Sequence, residues 1–468
     1  MAKKKILLLS DDIRVHSGVG TMSRALVTGT IHKYDWCQMA GAISHPEVGK
    51  VSDISDDLKK KTGIQDAYCR LYPVNGYGDQ NILRQILSVE KPDAIMHFTD
   101  PRFWGWLYAM EHELRQTTPL MYYNIWDDLP FPHWNEPFYE SCDALMAISK
   151  QTYNINKHVC QAKPRVEGVD LNYVPHGIDE KEFFPIPSGT QTAELNDVKK
   201  ELLQNKEYDF TVFFNSRNIR RKGTSDLISA FATFTEKLAD KGKKCCLILH
   251  TDPVDDNGTD LPAVARVIAP GRNIVFSNAK IPSNIMNCLY NIADVVCNPS
   301  SAEGFGLSHM EAMMSGTPTI ATVVGGLQDQ MGFKINGKEI TVEDFSEEIP
   351  SNSTGKLSKE YGDWVYPMFP NMSLQGSPPT PYIYDSRPTI DDIIKGLEFW
   401  YNVEGEERKA RGMKGRKWAI QNGFTQDAMC EGMVNSIDSC FSNFKRRKPY
   451  RLINTNLEKP TYPSGVLK

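Results

Sequence analysis

The sequence predicts an α/β protein of two domains, each built on a buried parallel sheet. Three observations carry this expectation. The chain has 468 residues, more than a single core of ordinary size organises. Short continuous apolar runs such as Ile6-Leu7-Leu8-Leu9 alternate with helical patterns, as in strands covered by helices on both faces. Residues 294–326, DVVCNPSSAEGFGLSHMEAMMSGTPTIATVVGG, read as strand, loop, helix, strand and loop.

That last stretch organises the rest. Val295-Val296-Cys297 is a strand stopped by Asn298-Pro299. Leu307, Met310 and Met314 then recur at helical spacing. Gly316 and Pro318 end the helix, because glycine accepts a left-handed cap and proline cannot extend the turn. Thr319-Ile320-Ala321 begins the next strand. The helix starts beside the carboxyl end of a strand, where open α/β sheets bind ligands. There the backbone N–H groups of Gly304, Phe305, Gly306 and Leu307 suit an anion or sugar hydroxyls. Glu303 in the loop and Glu311 on the helix accompany them.

The block EGFGLSHMEAMMSGTP resembles the signature of the retaining, nucleotide-sugar-dependent glycosyltransferases of GT-B fold. More narrowly it resembles family 4, the group 1 glycosyltransferases, which include bacterial mannosyl- and glucosyltransferases and sucrose-synthase relatives. The resemblance covers most of residues 1–326 and the last strand and helix. It implies two Rossmann-like domains facing a central cleft, with the donor held mainly by the second. It also implies that Glu303 lies against the donor sugar and that Glu311 holds the ribose hydroxyls.

Taken in order, Ile6–Leu9 is the first strand, and the loop SDDIRVHSGVG leads into a helix. Gly18 and Gly20 allow close backbone approach, and the resemblance turns Gly18 toward the donor diphosphate. His16 either reaches the same cleft or is an exposed loop residue. Asn81–Val89 reads as a helix and Ala94-Ile95-Met96 as a strand. His97 follows at the strand end, suited either to a contact with sugar or acceptor or to a buried structural role. Phe103, Trp104, Trp106 and Tyr108 form an aromatic cluster, read as core with an acceptor-stacking platform as the minor alternative. PLMYYNIWDDLPFP (119–132) is a strand running into an acidic loop. In many family members a His-Asp pair stands here; this chain has Trp126-Asp127 with Asp128 beside it. Asp127 is a candidate catalytic group, and both aspartates are candidate sugar or acceptor contacts. ALMAIS (144–149) and NYVPHGIDEKEFFP (172–185) resemble the last two strands of the first domain.

Pro185, Pro187, Ser188 and Gly189 place the domain boundary near residue 190. The expected division is thus 1–190 for the acceptor domain, 191–425 for the donor domain, and 426–468 for a returning helix with a basic, proline-containing tail. FTVFFN (210–215) opens the second domain and leads to SRNIRRKG. Arg217 and Lys222 read either as a solvated basic loop or, by the resemblance, as a grip on the donor diphosphate. Arginine forks onto two oxygens and lysine supplies a point charge. CLILH (246–250) and NIVFS (273–277) are further strands, and the loop Asn278–Lys280 borders the expected nucleotide base. Residues 332–380 read as an insertion too long for a plain connection, after which PYIYDSRPTIDDIIKGLEFWYN restores a strand and a helix. KRRKPYR (445–451) is a solvated tail or a phosphate-binding run.

Composition sets outer bounds. A net charge of −5 argues against a wholly basic nucleic-acid protein, though not against a local patch. Ten cysteines without C-x-x-C spacing suit free buried thiols in a reducing compartment. The start MAKKKILLLSDD is a first strand rather than a signal peptide. No run of 18 apolar residues suggests a transmembrane segment, and the expected location is the cytoplasm. No Asp-x-Asp strand end or His/Cys cluster suggests a metal, and no cofactor is expected beyond a nucleoside-diphosphate sugar as donor substrate. The expected reaction is retaining transfer to a hydroxyl acceptor, a glycan or small sugar by default. Alternatives are a hydroxylated base in DNA, as modified by phage enzymes of GT-B type, a catalytically silent GT-B binding protein, or a sugar-nucleotide epimerase.

Overall fold

The computed structural model describes residues 2–161, 169–187 and 189–449. Two sheets face each other. The first holds β1 (Lys4–Asp11), β2 (Tyr34–Gly41), β3 (Ser52–Asp53), β4 (Cys69–Pro73), β5 (Ala94–Phe98), β6 (Leu120–Asn124), β7 (Ala144–Ala147) and β8 (Asp170–Tyr173). Their order is β3-β4-β2-β1-β5-β6-β7-β8, parallel throughout except for the edge pair β3–β4. The second holds β9 (Phe210–Asn215), β10 (Cys245–His250), β11 (Ile274–Ser277), β12 (Val295–Asn298) and β13 (Thr319–Thr322). After a short hairpin of β14 (Lys334–Ile335) and β15 (Lys338–Glu339), β16 (Val365–Met368) completes the order β11-β10-β9-β12-β13-β16.

Both orders are the doubly wound one. The chain runs outward from a central strand on one side, returns, and runs outward on the other. The strand sequences explain why. Leu7 and Leu9 point into one core and Ile6 and Leu8 into another, so β1 is apolar on both faces. A third cluster covers the outer face of the second sheet around Phe210, Val212, Phe231 and Leu249. The cluster containing Ile6 and Leu8 runs on through Ile178, Phe305 and Phe424 into the second domain, so the two halves share packed apolar surface.

The helix Gln426–Asn443 returns to the first domain. Cys430 donates to the Ala25 carbonyl at 3.8 Å on the helix Gly18–Thr30, and Tyr34 donates to Asp438 at 2.7 Å. All ten cysteines are buried free thiols. Among the described residues no helix is long and apolar enough to cross a membrane.

Two readings of the insertion need correction. The sixth strand of the second sheet, β16, lies inside 332–380 rather than beyond it. The segment from Pro381 does not rejoin the sheet: β17 (Asn371–Ser377) and β18 (Thr380–Arg387) form a separate antiparallel hairpin. Polar and proline residues around VYPM hid a strand that is buried only by its neighbours. The hairpin reaches the first domain, where Tyr384 N donates to the Leu129 carbonyl at 2.7 Å and Tyr382 Oη to the Phe131 carbonyl at 3.2 Å.

Candidate functional site

In the second sheet β9 and β12 are adjacent, and their crossovers leave in opposite directions, which opens a crevice at their carboxyl ends. The loop after β9 tightens into a 3-10 turn at Arg220–Lys222 before the helix Thr224–Lys237. This turn aims Lys222 inward, where it is only 7% exposed. Its Nζ donates to Glu303 Oε1 at 2.5 Å, and Ser300 Oγ donates to the same oxygen at 2.8 Å. Arg221 lies 3.7 Å from Glu303 Oε2 and donates to the Ala302 carbonyl. Burial opposes the charge on Glu303, yet Lys222 and Arg221 outweigh it and hold the carboxyl below its ordinary range. Burial pulls the Lys222 ammonium down, with Glu303 opposing. The result is one carboxylate between two cations, a net positive cradle.

The loop from β12 to the helix Leu307–Met314 crosses to the first domain. Gly306 caps that helix at φ 90, a left-handed conformation that suits glycine. At Gly304 a Cβ would stand 2.8 Å from Ile148 Cδ1 and 3.1 Å from the Ile125 carbonyl, so only glycine fits without displacement. Phe305 is buried against the His176 ring, with centroids 5.2 Å apart. Leu307 faces Gly18, whose Cβ would meet Leu307 Cδ1 at 3.4 Å. Glu311 accepts a 2.6 Å hydrogen bond from Tyr290, which in turn accepts from Asn215 at the end of β9. Burial pushes the Glu311 carboxyl up to about 7, and the Tyr290 bond restrains the rise.

Facing this cradle, the loop after β6 presents Asp127 and Asp128. Gln151 fixes the loop by donating to the Asp127 carbonyl at 2.7 Å, and Trp126 Nε1 donates to the Asp128 carbonyl at 2.8 Å. Burial raises the Asp127 carboxyl, with Arg221 opposing; it raises Asp128 further, with Asp127 adding to the effect. The structure therefore brings Lys222, Glu303, Asp127, Asp128, Gly18 and the Gly304–Leu307 amides to one cleft.

Other expected residues fall elsewhere. Arg217 turns outward to Asp255 at 2.8 Å with its side chain 60% exposed. Arg221, which the sequence reading passed over, is the one that reaches Glu303, with its side chain 44% exposed; its only signal was the RRKG run before the helix. His97 is corrected to a structural residue. It is fully buried, with Nδ1 2.7 Å from Tyr108 Oη and Nε2 3.0 Å from Thr99 Oγ1. Burial lowers its pKa to about 3, and neither nitrogen is left for a sugar. His16 is exposed. Of the aromatic cluster, Trp104 and Tyr108 are core while Phe103 is exposed and stacks on Tyr77 at 5.5 Å. The loop Asn278–Lys280 is exposed at the carboxyl end of β11. In the basic run, Tyr450 and Arg451 lie outside the described residues; Arg447 N donates to the Arg115 carbonyl. Arg115 pairs with Asp143 beside the starts of β6 and β7, the end of the first sheet opposite the cleft.

Two doubly wound domains with a charged cradle between their strand ends define the GT-B class. Solved structures share the fold over the whole chain. Sucrose-phosphate synthase from Thermosynechococcus elongatus superposes with a TM-score of 0.65 at 16% identity, covering 94% of this chain and 100% of that one. Anabaena Alr3699/HepE, solved in complex with UDP-glucose, superposes with a TM-score of 0.61 at 14% identity, covering 93% and 99%. Residues 196–349, about a third of the chain, match the family described as glycosyl transferases group 1. D-inositol 3-phosphate glycosyltransferase of Corynebacterium urealyticum is 31% identical over 33% of this chain and 35% of its own length. The chain spans about a third of the length of that relative.

Proposed function

We propose that the protein transfers a sugar from a nucleoside-diphosphate sugar to a hydroxyl acceptor with retention of anomeric configuration and without a metal. The observation that carries this reading is the Arg221–Glu303–Lys222 cluster at the strand-end crevice, facing Asp127 across the cleft. The chemical demand of the reaction is to stabilise a departing diphosphate. Two cations and the amides of Phe305 to Leu307 supply that stabilisation with little reorganisation. Arg217, paired with Asp255 on the outer side of the same loop, adds a forked contact on rotating inward.

In this reading the donor's C1–O bond to phosphate breaks while the acceptor oxygen bonds C1 on the same face. The acceptor proton passes to the leaving phosphate oxygen. Glu303 positions the sugar and the two cations rather than attacking C1, since its charge is already engaged by Lys222 and Ser300. Glu311 holds the ribose hydroxyls, and Asp127 contacts the sugar or the acceptor hydroxyl. The location of Arg447 in the basic run, at the far end of the first sheet, supports a small sugar or glycan as acceptor over a base in DNA.

The test is calorimetric titration with a panel of nucleoside-diphosphate sugars, followed by NMR of the product's anomeric configuration. Binding that is lost in Lys222→Ala and an axial-to-axial or equatorial-to-equatorial outcome are expected. Failure of every nucleotide sugar to bind refutes the reading; an inverted product refutes the retaining assignment.

A further inference from the structure

A cavity of about 170 Å³ lies beside the cradle, between the Asp127–Leu129 loop, the segment Glu348–Lys356 of the insertion, and the β17–β18 hairpin. It is contiguous with the candidate donor site through Ser301 and Gly325, whose Cβ would stand 3.4 Å from Asp127 Cβ. Two of its lining hydroxyls, Ser301 and Ser386, are 6% and 8% exposed and make no side-chain hydrogen bond among the described residues. Both residues line the cavity, where a hydroxyl can donate to a ligand and accept from it. The carboxylates of Asp127 and Asp128 also line the cavity and accept no hydrogen bond from another described residue.

We propose that this cavity is the acceptor site and that it takes a compact, uncharged, hydroxyl-bearing ring while refusing its phosphorylated form. The proposal rests on the glycosyl-transfer reading above and deepens it. Its ground is the charge of the lining. The half-buried Asp127 and Asp128 and the exposed Glu348 come from two domains and line one space with a single lysine, Lys356, which is exposed like Glu348. Burial raises the two aspartate carboxyls, but acidic groups still outnumber cations in the lining. Carboxylates accept hydrogen bonds from hydroxyls, and the serines both donate and accept. A phosphate brings only acceptors and further negative charge, and like charges across an interface act against binding. The walls fit a ring as well: Met372, Leu129 and Tyr384 provide apolar contact beside the polar groups. Two of the three walls, the Glu348–Lys356 segment and the hairpin, fall between residues 348 and 387, almost wholly beyond the stretch 196–349 that matches the family.

The experiment compares transfer to free pentoses, hexoses, inositol and disaccharides with transfer to their monophosphates, read as nucleoside diphosphate released above donor hydrolysis. Donor binding is measured separately by calorimetry, so that failure of the donor reading is distinguished from failure of this one. Each neutral acceptor should exceed its monophosphate in kcat/KM by at least about tenfold. Glu348→Lys should narrow that ratio by about tenfold and leave donor affinity and donor hydrolysis unchanged. Ser386→Ala should raise KM for the neutral acceptor while kcat is retained. With the donor bound normally, preference for monophosphates, transfer only to an oligonucleotide carrying a hydroxylated base, transfer to none of these, or an unchanged ratio in Glu348→Lys overturns the proposal.

Discussion

Glu303→Gln removes the one negative charge between two cations. At an effective dielectric near 20, unit charges at the separations seen, 2.5 Å to Lys222 and 3.7 Å to Arg221, attract by about 7 and about 4.5 kcal/mol before desolvation. Most of this is cancelled by the cost of burying the charges, and breaking a buried pair leaves a net loss of about 3–5 kcal/mol. Lys222→Met should cost less, because Arg221 still answers Glu303. The double variant should cost less than the sum of the two, since the pair shares one interaction. The assay is urea unfolding with and without a nucleoside diphosphate. A diphosphate restores negative charge to the cradle, so it should bind Glu303→Gln at least as tightly as wild type, stabilising it by about 2.7 kcal/mol at 100 times its dissociation constant. Turnover should fall by about a hundredfold or more, because the sugar is no longer positioned. If Glu303→Gln unfolds at the wild-type urea midpoint and loses diphosphate affinity, the electrostatic account of the cradle is wrong.

Arg221→Ala should lower turnover more than Arg217→Ala, as measured by steady-state kinetics with saturating donor; the reverse order would return the diphosphate contact to Arg217. Glu311→Ala should weaken donor binding in calorimetry through loss of the ribose contacts, in a variant whose circular dichroism is unchanged. The folded pKa of Glu311, about 7, lies above its ordinary 4.5, so its contribution to stability is full below 4.5 and is lost as pH rises through 7. Unfolding midpoints of Glu311→Gln should therefore decline less over that window than those of wild type. Turnover should survive EDTA, because Arg221 and Lys222 supply positive charge at the leaving group; activity lost in EDTA and regained with Mg²⁺ would contradict this.

Local chemistry made much of this legible. The run from Val295 to Thr322 declares its strand, loop, helix and strand through period, proline and glycine, and β12, the helix Leu307–Met314 and β13 fall there. Glu303 and Lys222 were readable because a motif fixes their place at strand ends. Arg221 was not, because the direction of a side chain in a 3-10 turn depends on a single rotation that spacing does not encode. His97 shows the same limit: β5 extends through it to Phe98, and Tyr108 and Thr99 close over it from positions that only the folded chain brings near. The hairpin and β16 were misplaced because VYPM gains its partners from β13, more than forty residues earlier, rather than from its own pattern.

The chain passes between its domains twice, and the two passages lie against each other. Ile178 N donates to the Phe424 carbonyl at 3.0 Å, and Gln426 N donates to the Ile178 carbonyl at 3.1 Å. Gly177 sits so close that a Cβ there would be 2.0 Å from the Thr425 oxygen. The two passages, joined at a single bridge between Ile178 and Thr425, lie together like the spine of a book. Besides the shared apolar core, its pages are joined by bonds such as Lys150 N to Asp329 at 2.8 Å and the hairpin's contact with Leu129. The path of the backbone at this bridge thus helps set the Asp127 loop opposite Glu303.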